Sequence, residues 1–301
     1  MKHLRLLSLA ALLGCAPTIP DRTLTSKTAL PEALPQLAPC VLVHYQNEEN
    51  LSNAARGFFR GSFTLSYSTF AIRHPRGLLL IDAAFGDTAA RDLDASPFWF
   101  RWQFDETRAA VPLAKLLQDA GLSTGDVRYV LLTHAHWDHT GALPEVSGAR
   151  VVLSAAEADW MAGHDEPFVH ASMPPHLKGA QLEKISFDGP PYEGFPSSHD
   201  VFGDGSIVAV PTPGHTPGST SWFVNSAGGK RWLFIGDAAW VKEGFEEPVV
   251  KGRLASAFTD DDATCAAESL GLIHAIYVAR SATIVTAHDL RTWEGIPRCA
   301  K

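Results

Sequence analysis

Four side chains that commonly bind metal ions occur within six residues, directly after a run typical of a buried strand. Residues 127–133 are mostly apolar, β-branched or aromatic, which predicts a strand covered on both faces. His134, His136, Asp138 and His139 follow at once. In an extended segment alternate residues face one side, so His134 and His136 can hold one ion together, while a turn directs Asp138 and His139 to a second ion. This order predicts a fold in which loops at strand ends build a site.

Three more candidate ligands also follow strand-like runs. His215 lies in a Pro-Gly turn, Asp237 follows an apolar run and a glycine, and His288 follows the last apolar run of the chain. A single histidine is most often a hydrogen-bonded core residue, but seven such groups at strand ends match the needs of two ions with an open position for water. The sequence therefore predicts two Zn²⁺ ions, with Mn, Co or Fe as alternatives.

Strand and helix signals alternate along the chain. Two β-like runs flank a turn at residues 75–77, and helical spacing occurs over residues 111–120, 155–162 and 262–280. Such alternation is typical of a layered α/β protein, in which strand-end loops distant in sequence converge on one point.

The order of these groups resembles the metallo-β-lactamase superfamily. The resemblance spans roughly residues 41–289 and includes the run Thr-Pro-Gly-His-Thr-Pro-Gly-Ser at residues 212–219 and the Ile-Asp pair ending at Asp82. It implies an α/β fold, a four-layer αββα sandwich with the site at one edge between two sheets. Asp82 is expected to orient a ligating histidine.

The resemblance also implies a role for each ligand. Asp237 is expected to bridge both ions together with a hydroxide, and Asp138 to be the catalytic proton shuttle. The two ions are expected to be held as follows: the first by His134, His136 and His215, the second by Asp138, His139 and His288.

The implied activity is hydrolysis of a lactone, ester or related carbonyl compound. The stretch from Asp237 to Trp240 is similar to lactonase-like hydrolases, including acyl-homoserine lactonases, which carry at the place of Trp240 a tyrosine whose hydroxyl contacts the substrate carbonyl. Alternatives are a glyoxalase II-like thioesterase, a β-lactamase, and a metal-binding lipoprotein without catalysis. Asp237 disfavours β-lactam hydrolysis, since β-lactamases of the superfamily have Cys or Ser there.

An aromatic cluster near residue 100 is a candidate wall of the substrate pocket. Apolar and aromatic side chains commonly line small-molecule sites, although a loop packed on the sheet explains the same residues. The candidate pocket residues are Phe98, Trp99, Phe100, Trp102 and Trp240.

The amino-terminal residues resemble a bacterial lipoprotein signal. Residues 1–15 have a basic start and a short apolar run that ends in Gly14 and Cys15, so we expect cleavage before Cys15 and lipid attachment to it. Residues 16–37 are expected to be a flexible tether and residues 38–301 the hydrolase domain. The expected location is the cell envelope, as an outer-membrane lipoprotein facing the periplasm. A plain secretory signal or a buried helix is the alternative.

Charge and cysteine content narrow the partners further. The net charge is -8 with scattered basic residues, which argues against nucleic acid, so we expect a small-molecule substrate and membrane contact only through the anchor. Cys40, Cys265 and Cys299 remain beyond the signal. A disulfide between Cys40 and Cys299 fits an exported protein, with Cys265 bonded to either as the alternative. Nothing in the sequence indicates an oligomeric state.

Overall fold

The computed structural model describes most of the chain. The described residues are 17–25, 27–49, 63–96, 98, 101, 104–163, 177, 179–252, 256 and 259–300. The proposed signal, Cys15, Trp99, Phe100 and Trp102 lie outside them.

The first sheet has six strands in sequence order. The first three pair antiparallel, and the third to the sixth pair parallel. The strands are β1 (Pro39–Glu49), β2 (Phe63–His74), β3 (Gly77–Ile81), β4 (Val127–Leu131), β5 (Arg150–Ser154) and β6 (Gln181–Ile185).

The second sheet has five strands in the order β11-β10-β9-β8-β7. Only the pairing of β10 with β11 is parallel. The strands are β7 (His199–Asp200), β8 (Ile207–Pro211), β9 (Thr220–Asn225), β10 (Arg231–Phe234) and β11 (Thr283–Val285).

Helices connect these strands. The α-helices are α1 (Ala89–Ala95), α2 (Leu113–Asp119), α3 (Trp137–Thr140), α4 (Ala155–Gly163), α5 (Lys242–Glu246) and α6 (Ala263–Val278). Short 3₁₀ turns occur at Asp105–Ala109, Thr124–Asp126, Leu143–Val146, Ala227–Gly229, Gly236–Ala238 and Leu290–Thr292. No helix of the described residues has the length and apolarity needed to cross a membrane.

Strand alternation divides the core into layers. On β3, Leu79 packs in the cluster between the two sheets, while Leu80 packs in the cluster under α2. On β9, Trp222 faces the inter-sheet cluster and Phe223 the cluster under α6. Because successive side chains of a strand point to opposite faces, each sheet packs against the other sheet on one face and against helices on the other face. This arrangement confirms the predicted αββα sandwich.

The structure adjusts several sequence-based bounds. The helix predicted over residues 111–120 begins at Leu113, with Pro112 at its N-cap, since proline lacks the N–H that a helix interior needs. Residues 137–140 form a short helix, where the sequence indicated only a turn. The sequence reading did not predict β1, β6 or β7.

The two ends of the domain are tied to its body. Cys40 and Cys299 form a disulfide, which is one of the pairings that the sequence left open, and Cys265 is free. Within the predicted tether, the buried Leu37 exchanges hydrogen bonds with Ser226 Oγ. Thr28 contacts the buried ion pair of Glu193 and Arg231. The described part of this segment is therefore in contact with the second sheet, while its role as a tether stays a prediction.

Candidate metal centre

The site is assembled from loops at the carboxyl ends of strands in both sheets. Asp82 directly follows β3, and His134 follows β4 after two buried residues. His136 is the N-cap of α3, so the next turn brings Asp138 and His139 back towards His134. Parallel strands end at the same edge of a sheet, and this places Asp82 beside the loop that carries the four clustered groups.

The second sheet supplies the other three groups. His215 lies between β8 and β9, Asp237 in the 3₁₀ turn after β10, and His288 after β11. Gly214 has a φ of 135°, and a Cβ there would stand 2.1 Å from the backbone nitrogen of Ala266. Glycine is therefore required where the His215 loop meets the first turns of α6.

Three imidazoles form the first group of candidate ligands. The Nδ1 atom of His136 lies 2.9 Å from His134 Nε2 and 2.9 Å from His215 Nε2. Burial lowers the pKa of His134 and of His136 well below the usual range, and neighbouring imidazoles lower both further. Neutral imidazoles carry a free lone pair, which is the form that binds a metal ion.

Asp138, His139 and His288 form the second group. The Nε2 atoms of His139 and His288 lie 3.8 and 3.6 Å from Asp138 Oδ2. One donor atom of each residue falls within 4.8 Å of the others, and the same holds for His134, His139 and Asp237. The structure thus brings together all seven side chains that the sequence analysis selected.

Asp237 lies between the two groups. Its Oδ1 is 3.0 Å from His288 Nε2 and 3.3 Å from His139 Nε2, whereas its Oδ2 is 3.4 Å from His215 Nε2. Burial would raise the pKa of Asp237, but His288 and His139 bring it well below the usual range. One carboxylate therefore faces both groups, one oxygen to each.

Positive charge is favoured in the second group. Burial would lower the pKa of His139, but Asp82, Asp138 and Asp237 together raise it well above the usual value. Burial acts in the same direction on His288, and Asp237 is the main cause that raises its pKa. A buried site that stabilises protonated imidazoles in this way also stabilises a bound cation.

Two buried atoms show that the donor set fits divalent cations. Among the described residues, His139 Nε2 and Asp237 Oδ1 have no hydrogen-bond partner, although buried polar groups are nearly always satisfied. The two atoms lie 3.3 Å apart. Imidazole nitrogen and carboxylate oxygen are preferred ligands of zinc and related metals.

Hydrogen bonds behind the ligands hold the rings in place. Asp82 Oδ2 is 2.8 Å from His139 Nδ1, and Asp82 also accepts hydrogen bonds from Thr133. This contact is the one expected for Asp82. His288 Nδ1 is 2.9 Å from the backbone oxygen of Ser66, and His215 Nδ1 is 3.0 Å from Asp260 Oδ1. Such contacts fix ring orientation and tautomer.

Sequence reasoning missed Glu157, which joins two ligand-bearing loops. Its carboxylate accepts hydrogen bonds from Ala135 N, Thr216 Oγ1 and Gly218 N at 2.8, 2.7 and 3.1 Å. Burial raises its pKa to about 7, against the effect of these hydrogen bonds. A glutamate directly after a buried strand, on the apolar start of α4, was the only signal for it.

Two tryptophans contact candidate ligands, and a third lies next to them in sequence. Trp137 belongs to the ligand run, the Trp160 ring centroid lies 6.0 Å from that of His136, and Trp240 Nε1 donates a 2.8 Å hydrogen bond to Asp237 Oδ2. The predicted pocket residue Trp240 is thus at the site. Phe98 is 76% exposed, and its role in a pocket stays a prediction.

Comparison with known proteins agrees with this geometry. The family model "Metallo-beta-lactamase superfamily" matches residues 64–273. The N-acyl homoserine lactonase AttM of Agrobacterium fabrum is 29% identical over 243 residues, covering 74% of this chain and 82% of AttM. AttM of Rhizobium radiobacter is 30% identical with the same coverage.

Solved structures show the same fold. An AiiA variant of B. thuringiensis with N-decanoyl-L-homoserine at its active site superposes with a TM-score of 0.63 at 18% identity, covering 88% of this chain and 97% of AiiA. AidC, a dizinc quorum-quenching lactonase in complex with a product, gives 0.62 at 18% identity, covering 85% and 88%. The family implies a divalent metal. Because both its fold and the family model match, the chain belongs to the metallo-beta-lactamase superfamily and is a metal-dependent hydrolase.

Proposed function

We propose that this protein is a lactonase that opens the ring of a small lactone with two bound divalent cations. The observation that carries the proposal is Asp237, a buried carboxylate with one oxygen towards each of two histidine groups. The sequence relatives named N-acyl homoserine lactonase, matched over most of their length, favour a lactone over other carbonyl compounds.

The two cations are proposed to be zinc. His134, His136 and His215 would hold one, Asp138, His139 and His288 the other, and Asp237 both. When bound, the cations supply Lewis acidity for the carbonyl oxygen and lower the pKa of a shared water. Asp82 and Asp260 would keep the rings of His139 and His215 in the binding orientation.

Asp138 is proposed to move the proton. Its side chain is 14% exposed, against 2% for His139 and 6% for Asp237, so it borders both the buried groups and the solvent-facing side. A carboxylate in that position can accept a proton from the attacking water and deliver it to the leaving alkoxide. The indoles of Trp160 and Trp240, which contact His136 and Asp237, would exclude water and contact the acyl part of the substrate.

A hydrolysis screen tests the proposal. Zinc-loaded protein is offered N-acyl homoserine lactones of different acyl lengths, a thioester, a phosphotriester and a β-lactam. We expect lactone turnover that falls by orders of magnitude in Asp237→Ala, while Asp94→Ala, at an exposed carboxylate, retains it. Equal rates in wild type and Asp237→Ala contradict the role of Asp237. Preferred turnover of the thioester or the β-lactam contradicts the proposal that the substrate is a lactone. Bound metal without any turnover supports a metal-binding lipoprotein without catalysis.

We also propose that Cys15 carries a lipid that anchors the protein to the envelope membrane. The short apolar run that ends in Gly14 and Cys15 supports this proposal. Metabolic labelling with a fatty acid is expected to mark wild type and not Cys15→Ser. Equal labelling of the two contradicts the proposal.

A further inference from the structure

The ammonium of Lys251 is buried directly behind His215. The side chain of Lys251 is 9% exposed, and its Nζ donates a 2.6 Å hydrogen bond to Asp260 Oδ1. The same Nζ lies 2.9 Å from His215 Nδ1. Asp260 Oδ1 is also 3.0 Å from His215 Nδ1, so the ammonium of Lys251 and the ring of His215 contact the same carboxylate oxygen.

The indole ring of Trp240 also contacts the ammonium of Lys251. Lys251 Nζ lies 4.8 Å from the centroid of the Trp240 ring, the geometry of a cation–π contact. The edge of the same ring donates its N–H to Asp237 Oδ2. Lys251 is thus fixed between the supports of two candidate ligands, His215 and Asp237.

The charges around the two ligand groups differ because of Lys251. His139, in the second group, has the carboxylate of Asp82 behind it, and Asp138 adds another. The carboxylate behind His215 is shared with an ammonium instead. An imidazole backed by a carboxylate is a stronger donor, whereas a fixed positive charge in a buried site opposes a second positive charge.

We propose that Lys251 is a positioning residue that lowers the cation affinity of the site formed by His134, His136 and His215. This site is therefore the weaker of the two cation sites. This inference rests on the proposed binding of two cations. Removal of a merely structural contact would weaken cation binding at this site. The ammonium of Lys251 opposes cation binding here, so removal of the ammonium strengthens binding.

Chelator competition on the full chain, with Zn²⁺ as the probe, resolves the two affinities. Lys251→Met keeps the length of the side chain and removes the charge, and we expect the weaker affinity to rise by about tenfold or more. Lys251→Arg keeps the charge and is expected to match wild type. Lys115→Met, at an exposed lysine of α2, is the control. An unchanged or lower affinity in Lys251→Met overturns the proposal.

A second variant keeps the proposal open to refutation if Lys251→Met fails to fold. Asp260→Asn removes the carboxylate and leaves the ammonium, so we expect the weaker affinity to fall by about 10- to 100-fold. An unchanged or higher affinity in this variant also overturns the proposal. If wild type binds no zinc at all, the proposed function fails instead, so the two failures are distinguishable.

Discussion

Replacement of Glu157 by glutamine tests how the two ligand-bearing loops are held. Glu157 is 1% exposed and accepts hydrogen bonds from both loops, through Ala135, Thr216 and Gly218. Burial raises its pKa from 4.5 to about 7, in spite of these hydrogen bonds. Glutamine has nearly the same shape but does not ionise, so the variant isolates the effect of this titration.

The sign follows from proton binding in the two states. The folded protein binds the Glu157 proton more tightly than the unfolded chain does, since the pKa rises on folding. The resulting stabilisation is fully present below pH 4.5 and is lost as the pH rises through about 7. At about 1.4 kcal/mol for each unit of pH, the rise of the pKa from 4.5 to about 7 corresponds to a total loss of about 3.5 kcal/mol. Glutamine removes this loss.

Urea denaturation at pH 5 and pH 8, in the presence of a chelator, measures the effect. The free energy of unfolding of wild type minus that of Glu157→Gln is expected to fall by about 2.5 kcal/mol across this range, since pH 5 already lies above the unfolded pKa of 4.5. The other titrating groups are common to both proteins and cancel in the difference. Glu268→Gln, at an exposed glutamate of α6, controls for the substitution itself. A difference that stays constant, or that grows with pH, refutes the reasoning.

Two further variants test the carboxylate that contacts the His139 ring and the buried ion pair that contacts the amino-terminal segment. Asp82→Asn removes the carboxylate that contacts His139 and Thr133, so chelator competition should show zinc affinity lowered by about 10- to 100-fold; an unchanged affinity contradicts the assigned role. Glu193→Ala leaves the buried guanidinium of Arg231 without its carboxylate, so urea denaturation should show a loss of about 3–5 kcal/mol, and a loss below about 1 kcal/mol would count against the buried ion pair.

The seven clustered groups could be predicted because each follows a strand-like run. Strand periodicity is local, and loops at strand ends point to one edge, so the run at residues 134–139 and the later Asp237 could be placed together without knowing the packing. The missed strands are those whose signal was weak. In β1, polar residues follow the apolar start, and β7 spans only His199–Asp200.

The supporting charges could not be predicted for a different reason. Asp260 is 45 residues from His215 in sequence, and Lys251 is 36 residues from it. Each is one charged residue among many, and nothing local distinguishes a carboxylate that contacts a ligand from one that faces water. Only the packing of the loop before α6 against the His215 turn brings them together. The same holds for Glu157, whose partners lie 22 and about 60 residues away.

The division of the site between two sheets determines how metal binding relates to folding. The inter-sheet core, with Leu79, Trp222 and Phe234, contains none of the seven groups, so apolar burial can pack the sheets without a cation. Packing then leaves the neutral imidazoles of His134 and His136 and the carboxylate of Asp237 buried at one edge, and a bound cation would offset the cost of burying them. We therefore expect a cation to add stability to a fold that already exists, by an amount that grows with the logarithm of its concentration over its Kd, since the unfolded chain keeps these groups far apart.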